Sequence, residues 1–76
     1  MPHAIVKMYA GRTDRQKQEI AEAVTQAIVA TAGVGEESVS VAMEEVAPRD
    51  WTEKVYKADI LNGPGKLYKR PGYDPA

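Results

Sequence analysis

The sequence contains no cysteine, no phenylalanine and a single histidine, His3, among its 76 residues. Without cysteine there are no disulfides and no thiolate metal sites, and one histidine alone does not build a metal centre. No apolar run approaches the roughly 20 residues of a membrane span, and no signal-peptide pattern precedes the first predicted element. We therefore expect a cytoplasmic protein that holds no metal and does not associate with a membrane.

Neither sign of charge dominates the chain. Its 10 Lys and Arg residues and 11 Asp and Glu residues are interspersed and leave a net charge of −1. This balance excludes the basic surface that nucleic-acid binding requires. The length predicts one domain, residues 1–76, and domains below roughly 80 residues usually need disulfides, a metal or association for stability. Because the first two are excluded, we expect the chain to associate with further copies.

Alternation and helix-capping signals predict a strand, a long helix and a second strand. Residues 3–9 and 38–46 each place apolar side chains at every second position, which is typical of strands. Between them, Thr13 and Gln16 have the spacing of a capping box, and Gly33 suits the position just after the last helical turn. The apolar stripe of the helix is expected to form core.

Weaker signals follow the second strand. Pro48 is expected to end it, and Asp50–Glu53 has the form of a second capping box, which predicts a short helix carrying Trp51 and Val55. A turn of sequence NGPGK leads into a tail, which has room for a short extended or helical piece. Three tail residues are candidates to cap an oligomer or to close a pocket: Tyr68, Arg70 and Tyr73.

The order strand, helix, strand is typical of a βαβ unit with parallel strands. The predicted fold class is therefore α/β: a single β-α-β unit with a short second helix and a C-terminal tail. Two parallel strands under one helix leave strand edges and one sheet face open. A second copy would supply the missing strands, so we expect dimerisation to complete a four-stranded sheet.

The stretch PHAIVKMYAGRTDRQ, followed by VSVAMEEV and Trp51, resembles the 4-oxalocrotonate tautomerase family over about residues 2–60. The ending KRPGY at residues 69–73 is similar to the phenylpyruvate-tautomerase-like branch of that family, which is known for dimers, whereas the type enzymes form hexamers. The resemblance implies a tautomerase-like fold and a keto–enol tautomerase, an isomerase that uses no cofactor. It also implies a small-molecule substrate and a homodimer, with a hexamer as the alternative.

By this resemblance Pro2 is the catalytic base, acting through a free amino-terminal nitrogen once Met1 is removed. An α-amino group has a reference pKa of about 7.7 to 8.0. An apolar pocket near a guanidinium would lower that pKa toward neutrality through desolvation and like charge. If Met1 stays attached, the Pro2 nitrogen is an amide and accepts no proton, so the chemistry depends on processing.

The resemblance also suggests roles for side chains. Arg12 would hold the substrate carboxylate and stabilise enolate charge, although a solvated arginine at a helix start is the alternative. Ser40 stands where the family often has a second arginine, which favours a phenylpyruvate-like monoacid over a dicarboxylate. Trp51 corresponds to a phenylalanine near the active site of the family, although a plain core or interface anchor is the alternative. Tyr9 corresponds to an apolar position at the pocket entrance. No role is assigned to His3.

Two other hypotheses remain open. A related proline-based hydratase, dehalogenase or decarboxylase would need a further carboxylate or arginine to activate water, and Glu44 and Glu45 are the nearby candidates. Alternation places only one of these two on a given face of the strand. Alternatively, the chain is a non-catalytic oligomeric module in which Pro2 and Arg12 are structural.

Overall fold

The computed structural model describes residues 1–74; Pro75 and Ala76, the end of the predicted domain and tail, lie outside the described residues. The elements follow the predicted order of strand, long helix, strand and short helix. They are β1 (His3–Tyr9), α1 (Asp14–Ala32), a 3₁₀ turn (Glu36–Ser38), β2 (Ser40–Val46), α2 (Pro48–Trp51) and a π-helical segment (Thr52–Leu61).

Both ends of α1 form as the local signals predict. The hydroxyl of Thr13 accepts a hydrogen bond from the Gln16 backbone N–H at 3.1 Å, and the Gln16 side chain accepts one from the Thr13 N–H at 3.0 Å. Gly33 ends the helix with a φ of 69°, a conformation that glycine adopts without strain. These caps fix the direction in which the chain leaves β1 and approaches β2.

The two strands form a parallel pair in which His3 lies opposite Ser40 and Tyr9 opposite Val46. The second strand starts at Ser40, two residues later than the alternation predicts. The reason is a 3₁₀ turn, in which the backbone N–H of Ser38 donates to the Gly35 carbonyl at 3.1 Å and the Ser38 hydroxyl donates to the same carbonyl at 2.8 Å. Ser38 therefore belongs to the turn.

Different helices cover the two faces of the sheet. On one face, Lys17 of α1 reaches Glu45 of β2, with Nζ 2.7 Å from Oε1. On the other face, the Tyr9 ring meets the Trp51 ring edge to face at 5.1 Å. The second helical region thus covers part of the face that the βαβ unit alone would leave open. The sheet still has two strands, so each strand keeps one unpaired edge within the described chain.

The second helix starts earlier than predicted. It begins at Pro48, and the Asp50 backbone N–H donates to the Ala47 carbonyl at 2.9 Å, so Asp50 lies inside the helix and the proposed capping box at Asp50–Glu53 is wrong. Proline suits the first helical position because its φ is fixed and its missing N–H would have no partner there. The Asp50 carboxylate instead lies 3.6 Å from Lys54 Nζ.

After Leu61, the tail up to residue 74 contains no helix or strand, so the short regular piece suggested for it does not form there. No helix within residues 1–74 is long and apolar enough to cross a membrane.

A single chain has almost no closed core. Among residues 1–74 only Val55 is buried, at 5% exposure, whereas Ile5 is 54% and Leu61 58% exposed. The accessible surface of 5855 Å² exceeds the about 4,600 Å² expected of a compact monomer of this mass. The radius of gyration, 13.8 Å, likewise exceeds the about 11 Å of a compact domain of this length. The two-stranded sheet is consistent with completion by a dimer.

Candidate active site

A groove of about 360 Å³ lies at the carboxyl end of β1. In open α/β sheets this is the edge where ligands usually bind, because loops and helix starts converge there. The groove is lined by Lys7, Met8, Tyr9, Arg12, Trp51 and Tyr73.

Arg12 lies on the short connection between β1 and α1, and the residues before and after it fix the conformation of this connection. Thr13 caps the helix that follows, and Gly11 before it turns the chain with a φ of 122°. The Lys17 ammonium donates to the Glu45 carboxylate at 2.7 Å, and the Gly11 backbone makes a smaller contribution to stabilising the same carboxylate. The hydrogen bond from Lys17 is the largest of the causes that hold the pKa of Glu45 below its ordinary 4.5. Within residues 1–74 the Arg12 guanidinium forms no ion pair, which leaves it available to an anionic ligand.

The second cation of the groove is already paired. Lys7 Nζ donates to the Asp59 carboxylate at 2.6 Å, and this hydrogen bond is the main reason why the pKa of Lys7 lies above its ordinary 10.5. Lys7 therefore stays charged near neutral pH, but its charge is balanced by Asp59. Arg12 is the lining residue best placed to bind a carboxylate.

Aromatic rings form one wall of the groove. Tyr9 and Trp51 meet edge to face, and the Trp51 indole N–H donates to the Tyr73 hydroxyl at 2.9 Å. The Tyr73 ring lies 5.9 Å from the ring of Tyr56. Such a wall excludes water from one side of a bound molecule and offers flat apolar surface to its hydrocarbon part.

Pro2, His3 and Ser40 lie at the other end of β1. The Ser40 backbone N–H donates to the Pro2 carbonyl at 3.2 Å, and His3 Nδ1 lies 2.7 Å from the Ser40 hydroxyl. Between these residues and Arg12 runs the whole of β1, seven residues or about 20 Å of extended chain. A single chain therefore brings Tyr9, Arg12 and Trp51 together and keeps Pro2 and Ser40 away from them.

The sequence patterns do not identify Lys7 or Met8 as lining residues, and they predict Tyr73 only as a tail residue that closes a pocket or caps an oligomer. Alternation alone places Lys7 on the same face as Tyr9, so that signal was present. No local pattern brings Tyr73 to Trp51. Among residues 1–74, no three His, Asp or Glu side chains lie close enough together to hold a metal ion.

The fold and the groove define a class: a small α/β protein whose open groove combines the Arg12 guanidinium with aromatic rings, which suits a small organic acid. A family model described as tautomerase enzyme matches residues 2–55. The chain belongs to this family, and tautomerases are isomerases.

Individual proteins agree with the family assignment. The chain is 42% identical to a probable tautomerase of Xylella fastidiosa over 73 residues, covering 96% of this chain and 89% of the relative. It is 39% identical to the tautomerase PptA of Cronobacter sakazakii over 75 residues, covering 97% and 99%. Among solved structures, a heterohexamer 4-oxalocrotonate tautomerase from Chloroflexus aurantiacus superimposes with a TM-score of 0.66 at 33% identity, covering 71% of this chain and 87% of that one.

Proposed function

We propose that this tautomerase interconverts the keto and enol forms of a small 2-oxo acid without a cofactor, and that a monoacid with an aromatic tail, such as phenylpyruvate, is preferred. The observation that carries the proposal is the groove in which Arg12, which forms no ion pair with residues 1–74, stands beside the aromatic wall of Tyr9 and Trp51. The guanidinium would bind the carboxylate through two parallel hydrogen bonds and stabilise negative charge on the adjacent oxygen. The rings would contact the hydrocarbon tail.

Pro2 is the proposed base. With Met1 removed, its nitrogen is a secondary amine that takes the proton from the enol hydroxyl and returns a proton to the carbon next to the enol carbon, which yields the keto form and regenerates the free amine. An apolar setting and a neighbouring guanidinium both disfavour the ammonium form, which keeps the amine neutral near pH 7. A base of this kind contributes roughly 10² to 10⁴ in rate.

Pro2 and Arg12 act on one substrate only if two chains share the site. The free edge of β1 offers a simple arrangement, because two copies related by a two-fold axis pair such edges antiparallel. Antiparallel pairing brings Pro2 at the start of one β1 toward the partner's Arg12, beyond the end of the other. The same pairing would yield the predicted four-stranded sheet and place a partner strand beside exposed apolar side chains such as Ile5.

The preference for a monoacid rests on Ser40. Its hydroxyl is bonded to His3 Nδ1 and brings no positive charge to the Pro2 end of the site. A substrate with a second carboxylate would find no arginine at position 40, and a desolvated carboxylate without such a partner is costly. A monoacid avoids this cost.

Glu44 and Glu45, the carboxylates that a hydratase or related enzyme would need to activate water, do not line the groove. Glu45 accepts from Lys17 at 2.7 Å on the α1 face. Tautomerisation uses neither of them, so the proposal places no reaction step on Glu44 or Glu45.

The proposal is tested by following the ultraviolet absorbance of phenylpyruvate enol and of 2-hydroxymuconate with the wild type, Pro2→Ala and Arg12→Ala. We expect the monoacid to react faster, with a fall of about 10² or more in kcat/KM for each variant. Arg15→Ala is the matched control, because Arg15 is exposed, pairs with Glu19 and lies outside the groove.

Mass spectrometry of the same preparations establishes whether Met1 has been removed. Equal rates for the wild type and Pro2→Ala, in protein that lacks Met1, would contradict the role of the proline. A preparation that keeps Met1 should be inactive until the residue is cleaved.

A further inference from the structure

Tyr73 is the tail residue that reaches the groove. The tail has no helix or strand between residues 62 and 74, yet the Tyr73 hydroxyl accepts the Trp51 indole hydrogen bond at 2.9 Å. Its ring also lies against Tyr56, with centroids 5.9 Å apart. Tyr68, five residues earlier in the same tail, is 89% exposed against 47% for Tyr73. An irregular segment thus returns one specific ring to the groove.

The chemistry of this contact leaves Tyr73 free to act on a ligand. An indole N–H is a donor only, whereas a phenol hydroxyl both donates and accepts. Because Tyr73 accepts from Trp51, its own hydroxyl hydrogen remains for another acceptor. Its ring extends the aromatic wall beyond Trp51, so the tail limits how wide the hydrocarbon part of a bound acid can be.

We infer that Tyr73 is a specificity-determining residue: its ring contacts the hydrocarbon part of the bound acid and selects a flat aromatic substituent over a short aliphatic one. The inference depends on the proposed function for its choice of ligand, since it assumes that Arg12 holds the carboxylate. A third ring in contact with an aromatic substituent adds an interaction that an aliphatic chain does not match.

The test measures binding and turnover separately. Binding of two inert acids, 3-phenylpropanoate and butanoate, is followed through the fluorescence of Trp51, the single tryptophan of the chain. Turnover is measured with the enols of phenylpyruvate and of 2-oxobutanoate. The variants are Tyr73→Ala, Tyr73→Phe and, as matched control, Tyr68→Ala, all in the full-length chain, with thermal unfolding to verify that each variant folds.

We expect Tyr73→Ala to weaken 3-phenylpropanoate binding by about tenfold and to lower the ratio of kcat/KM values, aromatic over aliphatic, by a similar factor. Butanoate binding should change little, and Tyr68→Ala should match the wild type. Tyr73→Phe keeps the ring, so it should keep most of the aromatic preference while shifting Trp51 emission, because the indole loses its acceptor.

The two proposals fail in different ways. If the wild type turns over both enols and Tyr73→Ala leaves their ratio and the binding of 3-phenylpropanoate unchanged, the role of Tyr73 is overturned and the tautomerase proposal stands. If the wild type shows no turnover but binds 3-phenylpropanoate in a way that depends on Tyr73, the proposed reaction is overturned and the role of Tyr73 stands.

Discussion

Gly11 illustrates how much the site depends on one backbone angle. Its φ of 122° lies in a region that residues with side chains rarely adopt, and no atom lies within 4 Å of where a Cβ would stand. The cost of a side chain here is therefore backbone strain and not a clash. Relief of that strain would move the next residue, Arg12, which lines the groove.

We expect Gly11→Ala to lower the free energy of unfolding by about 1 kcal/mol or more and to raise KM for the enol substrate by displacing Arg12. Urea unfolding at a fixed protein concentration measures the first effect, and steady-state kinetics the second. Gly65→Ala is the control, because Gly65 has open space and no positive φ. Equal stability of the two variants would contradict the argument from strain.

The Lys17–Glu45 pair joins α1 to the end of β2. The two side chains are partly exposed, and the Gly11 backbone also contributes to stabilising the charge of the Glu45 carboxylate. The hydrogen bond to Glu45 is the main cause that raises the pKa of Lys17 above 10.5. The same bond is the main cause that lowers the pKa of Glu45 below 4.5. The pair therefore ties the helix, the strand and the Arg12 connection together over a wide pH range.

The pH dependence follows from the signs of the two shifts. A carboxylate with a lowered folded pKa stabilises the fold above its unfolded pKa, and this contribution is lost as the pH falls through the folded value. A lysine with a raised folded pKa stabilises the fold below pH 10.5, and this stabilisation is lost as the pH rises through the folded pKa. Both side chains of the pair are therefore charged, and their full stabilising contribution is present, between pH 4.5 and pH 10.5.

We expect Glu45→Gln to be less stable than the wild type at neutral pH, and the difference to shrink as the pH falls below 4.5, because Glu45 takes up a proton in the unfolded chain before it does so in the folded chain. Urea unfolding as a function of pH measures this difference. Glu22→Gln serves as control, since Glu22 is exposed and forms no ion pair within residues 1–74. A stability difference that persists unchanged into acid would rule out the ion pair as its cause.

The contrast between the two helices explains what sequence patterns can predict. The ends of α1 depend on residues three apart, Thr13 and Gln16, and on the backbone freedom of Gly33, so local rules suffice. At α2, Pro48 and Asp50 offer competing starts two residues apart, and the proline prevails because its φ already suits the first turn. The contact from Trp51 to Tyr73 spans 22 residues of chain with an irregular tail, and no local rule predicts it.

The sequence suggests candidate site residues one at a time, but it does not predict how those residues assemble. Period-two alternation over β1 already fixes that Pro2 and Arg12 lie at opposite ends of an extended strand. What the pattern lacks is the position of a second chain, because strand edges carry the same backbone groups whatever their side chains are. Packing between copies decides which edges pair.

The proposed site, which draws Pro2 and Arg12 from different chains, depends on association, and the excess of exposed surface favours such association. A chain that buries only Val55 among its described residues has little core of its own. We expect sedimentation to show dimers or a multiple of dimers, and the melting temperature to rise with protein concentration, because association stabilises the folded chain by mass action. A stable monomer with full activity would contradict a site shared between chains.

Mixing inactive variants tests the shared site directly. If Pro2 of one chain acts with the partner's Arg12, a dimer of one Pro2→Ala chain and one Arg12→Ala chain has one site with both groups intact and one with neither. Random exchange of equal amounts makes half the dimers mixed, so about a quarter of the wild-type activity should return from two inactive proteins. If both groups belonged to one chain, every site would lack one of them and mixing would restore nothing. The control is Arg12→Ala mixed with wild type, where activity should fall in proportion to the intact sites.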